Sequence, residues 1–143
     1  KRDLAMAVID LDHFRAINEQ YGFVRGDNLL AELGNWLKRH VRDVDMIARW
    51  SGEEFVLLLP GCDNQTAALL MQRMQKRLTR FKPAGIGITI SVGVATLRQD
   101  KQDTLNSLFE MADRAMYQAK MAGRNCVRIF ESESESPVSE TQE

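Results

Sequence analysis

"ARWSGEEFVLLLPG", Ala48 to Gly61, sets two apolar runs around a short polar turn that carries two adjacent glutamates, Glu53 and Glu54. A tight turn between antiparallel strands needs a residue free to take an unusual backbone conformation, and Gly52 supplies it. It does not need paired carboxylates. The stretch therefore reads as a hairpin that doubles as a functional loop, and the rest of the chain can be placed around it.

Upstream, "LAMAVID" (Leu4 to Asp10) is a short apolar run stopped by acids, which reads as a buried strand with Asp10 at its C-terminal end. "HFRAINEQYG" forms a short helix. After the turn at Gly22 to Gly26, a longer helix carries Leu29, Leu30, Leu33, Trp36, Leu37 and Val41 at helical spacing, with Asp27 near its start. Downstream, Asn64 to Phe81 is a third amphipathic helix, set between the Pro60-Gly61 break and Pro83. "GITISVGVATL" (Gly87 to Leu97) is β-branched and apolar on both faces, as a strand in the sheet interior should be. Leu105, Leu108, Ala112, Ala115 and Ala119 mark a last helix stopped by Gly123, and "NCVRIF" closes the sheet. The order β-α-α-β-β-α-β-α-β predicts an α/β (α+β sandwich) domain, a central mixed sheet flanked by helices, without repeats or internal linker.

Composition narrows the function classes. A chain of 143 residues can bury one core. Its longest apolar run, "LAMAVI" (Leu4 to Ile9), falls far short of the roughly 18 residues of a membrane span, and "KRDLAMAVID" is no secretory signal, so a cytoplasmic domain without membrane contact is expected. Cys62 and Cys126 lie far apart and form no Cys-x-x-Cys pair, which reads as two reduced packing thiols. The formal charge of −1 hides an asymmetry: "ESESESPVSETQE", residues 131–143, holds five glutamates and no base, leaving 15 acids against 19 bases in the remainder. That balance tolerates an anionic ligand. The acidic Ser/Glu tail has nothing to bury and is expected to be disordered, leaving residues 1–130 as the folded domain. No Gly-x-x-x-x-Gly-Lys-Ser/Thr loop is present, which argues against a P-loop nucleotidase.

Asp10 and the Glu53–Glu54 pair meet if their strands are neighbours. Carboxylates converging on one point repel unless a cation sits between them, and hard oxygen ligands suit Mg²⁺ with phosphate oxygens completing its shell. Asp12, just beyond, stands where a solvated helix N-cap belongs.

"VIDLDHFRAINEQYG", "RGD", "SGEEF", "ITISVGVA" and "ADRAMYQAKMAGRNCV", in this order and at these spacings, resemble the GGDEF family of diguanylate cyclases over nearly the whole chain before the tail. The resemblance implies condensation of two GTP molecules into cyclic di-GMP with release of two pyrophosphates, on a fold akin to nucleotidyl-cyclase and polymerase palm domains. It implies a Mg²⁺ or Mn²⁺ cofactor held by Asp10, Glu53 and the Leu11 carbonyl. Glu54 matches the second signature carboxylate, for which metal binding and hydroxyl deprotonation are both open, and the sequence leaves open which of the catalytic pair Glu53 and Glu54 does which. Asn18 and Asp27 match the guanine-reading pair, and Gly52 the position where backbone approaches the nucleotide. His13 and Phe14 match residues that lend backbone amides to phosphate, and Lys120 and Arg124 the basic phosphate ligands. Five residues separate the end of "RDVD" from Ser51, the spacing of the family's Arg-x-x-Asp product-inhibition site. That assigns Arg42 and Asp45 to cyclic di-GMP, with Arg73 in support.

Three positions depart from the family pattern: Ser51 for the first signature glycine, Phe23 for a usual His, and Glu19 for a common Asp. Phe23 cannot donate a hydrogen bond, so weaker GTP binding is expected. The family's upstream Asp-x-Leu-Thr segment is not in this sequence, which reads as a fragment of a larger sensor protein. One GTP per protomer makes a homodimer part of the expected mechanism, with no nucleic-acid partner. The rival readings are a silent cyclic di-GMP sensor using Arg42 and Asp45, and a structural dimerisation module.

Overall fold

The computed structural model describes residues 3–131, so the acidic tail, apart from Glu131, lies outside the described residues. The strands are β1 (Leu4–Leu11), β2 (Met46–Ser51), β3 (Glu54–Pro60), β4 (Ile90–Thr96) and β5 (Cys126–Ile129), and the helices are α1 (Phe14–Tyr21), α2 (Phe23–Arg39), α3 (Asn64–Phe81) and α4 (Leu105–Met121). The sheet runs β2-β3-β1-β4-β5, antiparallel throughout except for the parallel pair β4–β5. The predicted order of elements holds, and α3 has the predicted bounds.

Alternation along β1 divides the interior into two cores. Ala5, Ala7, Ile9 and Leu11 point into the larger one with Leu29, Leu30, Leu33 and Leu37 of α2 and Met71, Met74 and Leu78 of α3. Met6 and Val8 point the other way, beneath Leu108, Met111, Ala112 and Met116 of α4. Packing rather than propensity holds α2: two interior glycines cost it roughly 1 kcal/mol each, whereas each fully buried leucine returns about 1.5–3 kcal/mol. Asp10 continues the even series of β1 and so emerges on the α4 side of the sheet. In the antiparallel register Glu54 stands directly opposite it and shares that side.

Three expectations need correction. The second helix starts at Phe23, with Gly22 alone as the break, and ends at Arg39, so Val41 lies beyond it. The predicted strand 87–97 is shorter, because Thr89 leaves the ladder and gives its carbonyl to the Asp12 N–H (3.0 Å) and its hydroxyl to the Asp12 carboxylate (2.6 Å). Asp12 is not a solvated helix cap. It is 2% exposed, and the N-cap of α1 is His13, in the left-handed region at φ 59° with no side-chain cap.

Candidate active site

The hairpin turn holds Gly52 at φ 49°, a conformation that favours glycine, and Arg49 Nε donates to the Gly52 carbonyl (2.9 Å). A side chain at Gly52 would meet no protein atom within 4 Å, so the turn opens outward. The Leu11 N–H donates to the Glu53 carbonyl (3.3 Å), which ties the turn to the end of β1. Asp10, Leu11, Glu53 and Glu54 are thereby brought together, the strand adjacency on which the expected site depends.

Across this end of the sheet lies α4, whose Lys120 Nζ pairs with Asp10 Oδ2 at 2.5 Å. A cavity of about 690 Å³ is lined by Asp10, Glu54, Asp113, Tyr117 and Lys120 among others. Burial pushes the Asp10 carboxyl up, partly opposed by Lys120 and reinforced by Glu53 and Asp12. Glu54 is raised by burial and then by Asp10, Asp113 and Glu53. Burial raises Asp113 as well. Three acids thus hold protons more tightly than usual in one cavity, chiefly because burial disfavours their charged forms. Asp113 is not among the residues that the sequence alone marks out. Its signal was a seven-residue separation from Lys120, which puts both on one helix face.

Two buried side-chain oxygens among the described residues have no hydrogen-bond partner: Asp10 Oδ1 and Asn18 Oδ1. Such orphans are costly and call for an explanation. Asp10 Oδ1, beside Glu53 and Glu54, fits a divalent cation. No three acidic, His or Cys side chains among the described residues could hold an ion unaided. One or two carboxylates with substrate phosphates completing the shell is the usual way Mg²⁺ is held. Asn18 Oδ1 lies where a Cβ at Gly26 would come within 1.9 Å of it, so the glycine makes room for the amide. Asp27 is the next residue, exposed on α2, which brings the predicted guanine-reading pair to one elbow between α1 and α2. His13 and Phe14 open α1 directly after Asp12, and Phe23 stands 75% exposed at the start of α2. Arg124 follows α4 in an exposed turn at φ 66°.

The second predicted site is a separate cavity of about 600 Å³ lined by Arg42, Asp45, Cys62, Arg73 and Arg77 among others. Here Arg42 and Asp45 are occupied with each other. The Asp45 carboxylate is fully buried and accepts from the Arg42 backbone N–H (2.8 Å), Nε and Nη2 (2.6 Å), while Nη2 also reaches the Pro60 carbonyl (2.7 Å). The pairing raises the Arg42 pKa further.

A palm-like sheet with carboxylates at a strand end and a facing hairpin, opposed by a helical lysine, defines a nucleotidyl-cyclase type of domain. The family model for the diguanylate cyclase GGDEF domain matches residues 1–126, and the chain belongs to that family. It superposes on the active GGEEF domain of a diguanylate cyclase from Vibrio cholerae with a TM-score of 0.85 and 28% identity, over 92% of this chain and 85% of that one. The GGDEF domain of DgcB from Caulobacter crescentus, solved with c-di-GMP, gives a TM-score of 0.81 at 28% identity, covering 91% and 79%. Diguanylate cyclase DgcP of Pseudomonas aeruginosa is 36% identical over 131 residues, 89% of this chain but 19% of that protein. The chain thus spans about a fifth of that relative's length.

Proposed function

We propose that residues 1–130 form the catalytic unit of a Mg²⁺-dependent diguanylate cyclase, with the acidic stretch 131–143 outside it. The observation that carries this reading is the pair of orphan oxygens, Asp10 Oδ1 and Asn18 Oδ1, one suited to a cation and one to a base edge. In each of two half-reactions a 3′-hydroxyl attacks the α-phosphorus of the other GTP and pyrophosphate leaves. A divalent cation held by Asp10, Glu53 and the Leu11 carbonyl would stabilise the activated hydroxyl oxygen and the charge growing on pyrophosphate. Glu54, with its raised proton affinity, takes the hydroxyl proton. Lys120 and Arg124 face the phosphates, with the His13 and Phe14 amides at the start of α1. Asn18 and Asp27 select guanine, because the carboxylate accepts from N1 and N2, a donor pair that adenine does not present there. Two protomers face each other across a two-fold axis, each bringing one GTP from the cytoplasmic pool. Incubating the chain with labelled GTP and Mg²⁺ and identifying the product by mass tests the reading. Cyclic di-GMP supports it, whereas nucleotide binding with no product would identify a sensor.

Gly26→Ala is expected to weaken GTP binding by about tenfold or more, equivalent to about 1.4 kcal/mol. A helix gains about 1 kcal/mol from alanine over glycine, so the fold should accept the change while the Asn18 amide is driven from its place. Calorimetric titration with a non-hydrolysable GTP analogue measures it, and unchanged affinity would remove Asn18 from the guanine site.

The Arg42, Asp45 and Arg73 cavity is the proposed product-inhibition site. Its use requires Arg42 to release part of its grip on Asp45. Arg42→Ala should therefore leave initial turnover intact and abolish inhibition by added cyclic di-GMP. It should also cost about 1–3 kcal/mol of stability, because the buried Asp45 carboxylate loses its partner. Initial rates with and without product, alongside thermal melts, separate the two effects. Inhibition as strong as in the wild type would refute the assignment.

A further inference from the structure

The turn after α4 is more strained than a helix stop requires. The Arg124 N–H bonds the Ala119 carbonyl (2.9 Å) and the Gly123 N–H the Lys120 carbonyl (3.2 Å), the Schellman pattern, for which one left-handed residue, Gly123, suffices. Yet Arg124 at φ 66° and Asn125 at φ 52° follow it, two residues with side chains in a region each occupies at a cost. Such a conformation persists only where its surroundings over-determine it.

Asp12 is the main restraint. Its buried carboxylate accepts from the Asn125 N–H (3.0 Å), from the Ser91 hydroxyl (2.7 Å) and from the Thr89 hydroxyl (2.6 Å), so a single group pins the end of β1, the approach to β4 and the strained turn. A second strap comes from α3, where Gln75 Nε2 donates to Asn125 Oδ1 (2.8 Å) and to its carbonyl (3.1 Å). Burying a carboxylate with no cationic partner among the described residues is an expensive way to achieve stability alone, and an apolar residue would usually serve better. What the carboxylate adds is a fixed location for the backbone of Asn125 and therefore of Arg124.

We propose that Asp12 is a positioning residue for the triphosphate: through the Asn125 amide it holds the left-handed turn that presents Arg124 at the site. The proposal rests on the reading of Arg124 as a phosphate ligand. Asp12 itself touches no substrate.

The test is a double-mutant cycle on the affinity for a non-hydrolysable GTP analogue, using Asp12→Asn and Arg124→Ala in the full chain, with guanosine as a phosphate-free control. Each single variant is expected to weaken the analogue by about tenfold and to leave guanosine unchanged, and the double variant to be no weaker than Arg124→Ala alone. Gln75→Leu, at a half-buried position of α3, removes the other strap without touching the buried carboxylate. It should weaken the analogue in the same direction even if Asp12→Asn folds poorly. Strictly additive losses, or equal losses for analogue and guanosine, would overturn the positioning role and leave a structural one. Full affinity in Asp12→Asn and Gln75→Leu, with Arg124→Ala impaired, would overturn the proposal while sparing the phosphate reading. Full affinity in Arg124→Ala would overturn both.

Discussion

Asp10→Asn is expected to lower cyclic di-GMP synthesis by about a thousandfold or more, while leaving the metal-free fold at least as stable as the wild type. The two effects have one cause. Burial, reinforced by the neighbouring Glu53 and Asp12, lifts the Asp10 carboxyl by more than Lys120 lowers it, so the ionised form is held at a net disadvantage until a cation arrives. Asparagine keeps the shape and an oxygen for Lys120 but removes that charge, and with it the cation site.

The pH dependence follows in sign. A group whose proton affinity is raised in the folded state contributes stability that is complete below its unfolded value, about 4 for these carboxyls. That contribution is lost as pH rises through the folded value. Asp10, Glu54 and Asp113 all behave in this way. Asp63, lowered by hydrogen bonds from Thr66, and Asp103, lowered by Arg98, act oppositely, losing their contribution as pH falls through their folded values. In metal-free buffer, the melting-temperature advantage of Asp10→Asn should therefore widen from pH 4 upward and level off above the folded value of Asp10. A non-hydrolysable GTP analogue with Mg²⁺ at a hundred times its Kd should reverse the order. It would add about 2.7 kcal/mol to the wild type, at roughly 2–4 °C per kcal/mol for a domain near this size, and little to the variant. Wild-type synthesis by Asp10→Asn, or a gap that narrows as pH rises, would dismiss this account of the site.

Local signals made the frame of the molecule readable. The bounds of α3 and the Gly52 turn follow from periodicity and breakers, whereas the opposition of Asp10 and Glu54 needed the β1–β3 pairing that only the fold supplies. What escaped was decided between residues distant along the chain. Asp12 looks like a cap because nothing near it in sequence announces Ser91 or Asn125, which lie 79 and 113 positions away. Asp113 looks like one more polar residue of α4 until the docking of that helix turns it toward Glu54. The Arg-x-x-Asp spacing assigns Arg42 and Asp45 to a ligand, whereas three residues of separation also suffice for each to satisfy the other. Gly93 in "ISVGVA" looks like a weak point in a strand, and only the packed sheet gives it a purpose.

That purpose makes Gly93→Ala the most damaging small substitution expected in the fold. Gly93 lies opposite Val8 in the β1–β4 register and faces α4. A Cβ there would stand 2.1 Å from the Ala112 carbonyl oxygen, 2.1 Å from the Met116 nitrogen and 2.7 Å from the Ala115 carbonyl carbon. These are helix backbone atoms, which cannot rotate away as a side chain would, so α4 as a whole must lift from the sheet. Overpacking a core typically costs about 1–3 kcal/mol, and with no yielding neighbour the upper end applies, so a fall of roughly 6–12 °C in melting temperature is expected. Lifting α4 also draws Lys120 and Asp113 away from Asp10 and Glu54, so nucleotide affinity should fall in the molecules that remain folded. Ala112→Gly should not rescue the variant, because the obstruction is the Ala112 carbonyl and not its methyl group. This separates the explanation from ordinary side-chain crowding, which a smaller neighbour would relieve. A Gly93→Ala protein melting with the wild type, or one restored by Ala112→Gly, would show that α4 does not rest on β4 as closely as described.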